Sequence, residues 1–405
     1  MLLGEETFHG IPPTMSTSPH RRAILLLSFA AFAAGSSMRI CDPLLPEFAR
    51  AFDVSASLAA LSISAFALTY GLMQAFYGPM GDHLGKYKVI ALAALAGVVG
   101  NLVALAAPSL PWLVAGRILN GATAAALIPL SMAWIGDHID YTERQTTLAR
   151  FLSGQILGLI AGQALGGLLA DTLGWRWCFG FLAGIYLLVG LALLRESRAN
   201  PEAPAAGKRP AFGKQLRSVL ALPWVRVILV TVFVESVAVF SVLAFVPSHL
   251  HLHFGLSLAA AGAIPATFGL GGLGYAFLAR RAVAHLGERG LILGGGTSMV
   301  VAGLLLAAAP HWGWALPAAF LLGAGFYMFH NTLQTHATQM APAQRGTAVS
   351  LFASAFFLGQ FTGVAAASRM AESWGHRPAF ALAALIAAGV TVWFSRRLAG
   401  RVSAP

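Results

Sequence analysis

Apolar residues run through the chain in twelve long blocks, and polar residues and prolines gather in the gaps between them. The blocks fall at 23–41, 57–80, 89–107, 112–135, 151–170, 177–194, 224–246, 257–279, 290–309, 314–337, 348–368 and 378–395. Each has about the 17–25 residues that a helix needs to cross the hydrocarbon core of a bilayer. The pattern predicts an all-α membrane protein with twelve transmembrane helices and both chain ends on one side.

One gap is longer than the rest. Residues 195–222 carry Pro201, Pro204, Gly207, Pro210 and several basic side chains, and read as a linker between two halves, 23–194 and 223–396. Residues 1–22 hold Pro12, Pro13 and Pro19 and read as a polar tail, with Met15 a second candidate start; 397–405 form the other tail. Arg21-Arg22 before an apolar block has the form of a signal peptide, but the repeat between the halves marks that block as a retained helix.

The halves repeat at an offset of about 201 residues. Ser57-Leu-Ala-Ala returns as Ser257-Leu-Ala-Ala, Ala106-Ala-Pro108 as Ala308-Ala-Pro310, and Gly121 as Gly323. Arg144, Gly158 and Gly162 return as Arg345, Gly359 and Gly363, and Gly174, Arg176 and Phe179 as Gly375, Arg377 and Phe380. Shared order at a shared offset predicts two parallel six-helix units related by an axis along the membrane normal.

Composition agrees. The chain of 405 residues is 57% hydrophobic and 10% charged, against about 25% charged for a soluble domain. A net charge of +11 would suggest a nucleic-acid partner in a soluble chain. Here the basic residues follow the loops. Of the 26 Lys and Arg, only Arg39, Arg50, Arg176, Arg369 and Arg377 fall on the side opposite the chain ends. Short loops rich in Lys and Arg stay in the cytoplasm, so both termini are expected there, in a cell membrane and with no nucleic acid bound. Cys41 and Cys178 have no metal spacing and read as small packed thiols rather than a disulfide.

The loop Gly78-Pro-Met-Gly-Asp82-His-Leu-Gly85-Lys86-Tyr-Lys88 lies between the second and third blocks. It resembles the loop after the second helix of major facilitator superfamily transporters, roughly Gly-x-Leu-Ala-Asp-Arg-x-Gly-Arg-Lys. Gly78, Asp82, Gly85 and Lys86 match; Met80 and His83 depart. The resemblance implies a conformational gate on the cytoplasmic side made by Gly78, Asp82, Gly85, Lys86, Arg144 and Arg345, with Asp82 near the start of the eleventh helix around Gly346. The second half keeps Leu286-Gly-Glu-Arg289 as an echo but has no acid in place of Asp82.

Gly162-Gln-Ala-Leu-Gly166-Gly167, followed by Gly174-Trp-Arg-Trp177, resembles the fifth-helix element of the drug–proton antiporter branch, with Gln163 where that element has proline. Arg117 with Asn120 and Gly121 resembles the Arg-x2-Gln-Gly motif of the family's fourth helix. In that family the arginine is linked to proton coupling, which reaches Arg117 as an implication of the likeness.

Ionisable groups inside spans are costly and are functional candidates by default. Asp42, near the outer end of the first helix, is at the depth of Arg117, so the two are expected to pair, with Arg39 as a competing partner. Glu235 is the one acid near the middle of a span. It must be protonated, paired or facing water, and His330 on the tenth helix is its candidate partner, directly or through water. Tyr327, His330, Asn331 and Gln334 fall at i, i+3, i+4 and i+7, one helical face. With Tyr70, Gln74, Asn120, Gln155, Phe357 and Gln360 they form the expected cavity lining.

No nucleotide-binding loop, metal cluster or nucleophile motif is found, and Gly269-Leu-Gly-Gly272-Leu-Gly274 lies within an apolar helix with no strand before it. The expectation is a secondary transporter working by alternating access, not an enzyme, monomeric and without cofactor or metal. The resemblance implies proton-coupled efflux of a small amphipathic organic compound through Glu235, Asp42, Arg117 and His330. The alternatives are a proton-coupled uptake symporter for a metabolite, sugar or organic acid, with Arg117 receiving a carboxylate, and a transport-dead membrane sensor.

Overall fold

The computed structural model describes residues 20–199 and 212–402. The readings for most of the amino-terminal tail, Met15 included, for 200–211 and for 403–405 lie outside the described residues.

Regular structure among the described residues is helical throughout. The first span, Arg21–Arg39, continues through a turn at Asp42–Leu44 into the short helix Leu45–Phe52. The second is Leu61–Leu84, entered through Ala56–Ala59. The third to sixth are Lys86–Leu105, Leu110–His138, Tyr141–Thr172 and Arg176–Ala199. The seventh, Pro223–Leu243, runs on as Val246–Phe254. Ala315–Gln339, Arg345–Trp374 and His376–Val402 are the tenth to twelfth.

Between them lies Thr267–Ala308, a helical stretch of 42 residues entered through Leu258–Ala263. Straight, it would be about 63 Å long, twice the hydrocarbon thickness. It breaks at Gly287, where φ is 60°, a backbone conformation that glycine reaches without a Cβ clash. The stretch therefore crosses twice, as the eighth and ninth spans, and the total is twelve. The sixth and twelfth spans run past the expected ends at 194 and 395, to Ala199 and Val402. Part of the segment read as a linker is the helix Phe212–Ala221, tied to the start of the eleventh span by Thr347 Oγ1 donating to Gln215 Oε1 at 3.1 Å.

Glycine fixes how the spans pack. The fifth span lays Gly154, Gly158, Gly162 and Gly166 along the first. A Cβ on Gly154 or Gly162 would come within 2.6 or 2.5 Å of the carbonyl oxygens of Ser28 or Ser36. One repeat later, Gly359 and Gly363 of the eleventh span meet the carbonyls of Phe233 and Val237 on the seventh. Small side chains allow this backbone approach, which drives helix association in a solvent as apolar as leucine. The repeat extends to loops: Arg176 donates to the carbonyl of Ala107 at 3.0 Å, and Arg377 to that of Ala309 at 2.7 Å. Cys41 and Cys178 are free and buried.

The two halves meet mainly where the second span packs on the eleventh and the fifth on the eighth. These contacts start at the face opposite the chain ends, at Ser57 with Glu372 and at Asp171 with Ala259. They reach to Gly71, whose carbonyl accepts from Ser354 Oγ at 2.8 Å, about 15 Å along the second span. Toward the face of the chain ends, a Cβ on Gly78 or Gly346 would meet nothing within 4 Å. Among the described residues, the hydrogen bonds that join the halves lie at Gly71 or on its far side, so the molecule is closed on the far face and open on the terminal one.

Candidate functional site

Glu235 sits at mid-span on the seventh helix with 0% exposure. Its Oε2 lies 3.0 Å from Nδ1 of His330 on the tenth, so the two side chains touch without an intervening water. Glu235 Oε1 has no partner. The imidazole retains 14% side-chain exposure, where the acid has none. Phe326 stacks on it at 4.8 Å between ring centroids, with Phe356 at 4.9 Å and Phe352 at 5.3 Å. A hydrogen bond in such surroundings is stronger than in water, and an oxygen left over is correspondingly costly. That leftover oxygen is a place for a proton.

The expected Asp42–Arg117 pair does not form. Asp42, wholly buried, receives Arg39 Nη1 at 3.5 Å and Gln163 Nε2 at 3.1 Å, both on Oδ2. Oδ1 has no partner. Arg39 won because the turn after the first span folds Asp42 back toward the preceding helical turn, so the competing partner is local. Arg39 also lies 4.4 Å from the ring centroid of Phe240, in the other half. Gln163, which departs from the proline of the family element, thus supplies the acid's second donor. Arg117 spends its donors elsewhere: Nε on the carbonyl of Ser62 at 2.9 Å, Nη2 on that of Ser37 at 2.9 Å and Nη1 on Ser37 Oγ at 3.4 Å. Its guanidinium lies 4.3 Å over Phe66. These contacts hold the guanidinium's nitrogens within the first half and leave Arg117 fully buried.

Asn120 is also not part of the lining. It is fully buried, donates to Asn101 Oδ1 at 3.0 Å and packs against Gly100, joining the third and fourth spans. Tyr70, Gln74, Phe357 and Gln360 are buried; Tyr70 and Phe357 meet at 4.0 Å between the second and eleventh spans. Gln155, Tyr327, His330 and Asn331 are half-buried, and Gln334 is exposed. The face read from the tenth span therefore runs from the buried acid out to solvent.

The stretch read as a loop after the second span is helical except at Gly85, because the second span runs on to Leu84 and the third starts at Lys86; there Lys86 Nζ lies 3.3 Å from Asp82 Oδ1 and 2.7 Å from Asp137 Oδ2 of the fourth span. Arg144 donates to the carbonyl of Ile139, and Arg345 is exposed at the start of the eleventh span. Four residues escaped the sequence reading. Phe326 and Phe352 carry no signal beyond being aromatic in an apolar span. Asp171 and Glu372 do carry one: they are acids at the far ends of the fifth and eleventh spans, one repeat offset apart.

The fold and the motifs have counterparts. A POT family transporter in complex with a thioalcohol-conjugated peptide superposes with a TM-score of 0.77 at 13% identity, covering 95% of this chain and 97% of that one. YwfA, an MFS-type transporter of Bacillus subtilis (strain 168) that is itself uncharacterised, is 27% identical over 380 residues, 91% of this chain and 89% of that one. Citrate exporter 1 of Aspergillus niger is 31% identical over 177 residues, 43% of this chain and 34% of its own length. The family model described as Major Facilitator Superfamily matches residues 27–364. With twelve spans in two repeated halves that close at one face and part at the other, this chain belongs to the major facilitator superfamily of membrane transporters.

Proposed function

We propose that this secondary transporter exports a small amphipathic organic compound in exchange for protons. The terminal face is read as cytoplasmic, from the bias of basic residues in its loops. The observation that carries the reading is the Glu235–His330 contact, a buried carboxyl with one open oxygen next to a partly exposed imidazole. In the inward-open state the imidazole can pass a proton between the cavity and the acid. The acid must be neutral or paired whenever apolar walls surround it. A cycle in which Glu235 loads a proton in the outward-facing state and loses it inward would therefore be tied to the movement of the halves.

The rings of Phe326, Phe352 and Phe356 make the wall around His330 apolar, which suits a cargo with an apolar body. Arg117, the group that would have received a carboxylate in the uptake reading, is occupied by Ser37 and Ser62. In this proposal Asp42 is a second proton site, and the loop of Gly78, Asp82, Gly85 and Lys86, with Arg144 and Arg345, is the inner gate, as family likeness implies.

The test is a compound-sensitivity and uptake screen in cells with and without the protein, each with and without a proton gradient. Export predicts lower accumulation of at least one compound in cells that carry the protein, reversed when the gradient is collapsed. Gradient-driven gain of a compound by the same cells would overturn the direction. Transport indifferent to the gradient would overturn the coupling.

A further inference from the structure

The far face is fastened by two carboxylates, each reaching from one half to the other. Asp171, at the end of the fifth span, accepts the backbone N–H of Leu258 at 3.3 Å and of Ala259 at 2.7 Å, at the entry to the eighth span. Glu372, at the end of the eleventh span, accepts the N–H of Ser57 at 3.3 Å and its hydroxyl, at the entry to the second. The acids are one repeat apart, 171 and 372, and so are the donors Ser57 and Leu258. The same contact is thus made twice, with the roles of the halves exchanged.

The neighbouring N–H groups separate this arrangement from ordinary capping. Ser55 Oγ accepts from Leu58, and Ser257 Oγ from Ala260, so each entry already has a cap from its own half. The acids take N–H groups that the local cap leaves over. Those N–H groups would turn to water if the halves separated, so the contacts favour the closed far face without being needed to fold either half.

We infer that Asp171 and Glu372 are a pair of positioning residues for the transport cycle, two symmetry-related latches that hold the far gate shut and break when it opens. Neither touches the Glu235–His330 site; they act on the equilibrium between the two open states. A ligand or contact shifts such an equilibrium only by what it gains in one state over the other, and these four hydrogen bonds exist only with the far face closed. Because both acids are exposed, the gain is modest. Removing one is expected to raise the ratio of far-open to far-closed molecules on the order of fivefold, and removing both by about the product.

The experiment measures distances at both faces at once in purified protein. Spin labels at Arg50→Cys and Leu252→Cys span the far gate, and labels at Leu84→Cys and Gln339→Cys span the terminal one. All four positions are exposed, whereas Cys41 and Cys178 are buried. The otherwise unaltered protein is expected to show a short far distance and a long terminal one. Asp171→Ala with Glu372→Ala should lengthen the first and shorten the second, and each single change should do so in part. Unchanged distributions would overturn the inference. So would a far distance that lengthens with no answering change at the terminal face, because that is a local loosening rather than a shifted cycle. If the alanine pair does not yield folded protein, Asp171→Asn with Glu372→Gln keeps the volume and should give the same reciprocal shift at smaller amplitude. No compound and no gradient is present, so the outcome is independent of the proposed cargo and coupling.

Discussion

Replacing Glu235 with glutamine separates coupling from folding. The side chain is wholly buried and its partner is 3.0 Å away. Glu235→Ala would leave a cavity and strip His330 of its partner, which for a buried hydrogen-bonded pair costs about 3–5 kcal/mol and risks losing the protein. Glutamine keeps the volume and one hydrogen bond to the imidazole, so the cost falls to about 1–2 kcal/mol. What glutamine cannot do is bind and release a proton. One coupled charge gains about 2.3 kcal/mol from a membrane potential of about 100 mV, enough for a concentration ratio of roughly 50 in a neutral cargo. The expected result in liposomes is that Glu235→Gln still exchanges labelled for unlabelled compound, while the ratio supported by the gradient falls toward one. The cargo is the compound found by the cellular screen. If purified Glu235→Gln builds the same ratio at the same rate as the unaltered protein, Glu235 is not the coupling site and Asp42, the other buried acid with an open oxygen, takes its place.

Other consequences are more direct. Reporter fusions after Arg198 and after Arg401 should both report cytoplasm; a signal from the other side at either position would break the twelve-span orientation. Gly162→Leu should destabilise by more than the roughly 1–3 kcal/mol typical of overpacking, because its Cβ alone would lie 2.5 Å from the Ser36 carbonyl, whereas Gly184→Ala, mid-helix with open space around it, should hold or slightly raise the melting temperature. Arg117→Lys should lower thermal stability by about 2–4 kcal/mol, since one ammonium cannot reproduce the bonds to Ser37 and Ser62; unchanged stability would return Arg117 to the candidates for proton coupling. Asp82→Asn removes one of the two carboxylates that hold Lys86 and should lower transport at an unchanged protein level; normal transport would reduce the loop to a topology signal.

How far the sequence carried depends on what was asked of it. Depth in the membrane follows from counting residues at 1.5 Å each; that count put His330 somewhat nearer the face of the chain ends than Glu235 and left a direct contact or a water bridge open, and the two side chains touch. Rotation about the helix axis is a different quantity. It decided that Arg117 turns its guanidinium to the carbonyls of Ser37 and Ser62, that Asn120 faces Asn101, and that Asp42 is claimed by Arg39 and Gln163. Apolar blocks with little amphipathic contrast carry almost no rotational signal, because lipid and the protein interior are similarly apolar.

By itself the sequence determined the number of crossings, the repeat and the side on which basic loops gather. Each of these rests on local composition: a bilayer demands an apolar block of fixed length, and a charged loop resists transfer across it. It also determined which glycines lie in a row, since the stripe is a spacing. Only the tertiary structure decided what each stripe faces, which half-to-half contacts are closed, and which acids reach across them. Those depend on how two units of like sequence are rotated against one another. The same chain must adopt more than one such rotation to transport anything, so no one of them is written into local composition.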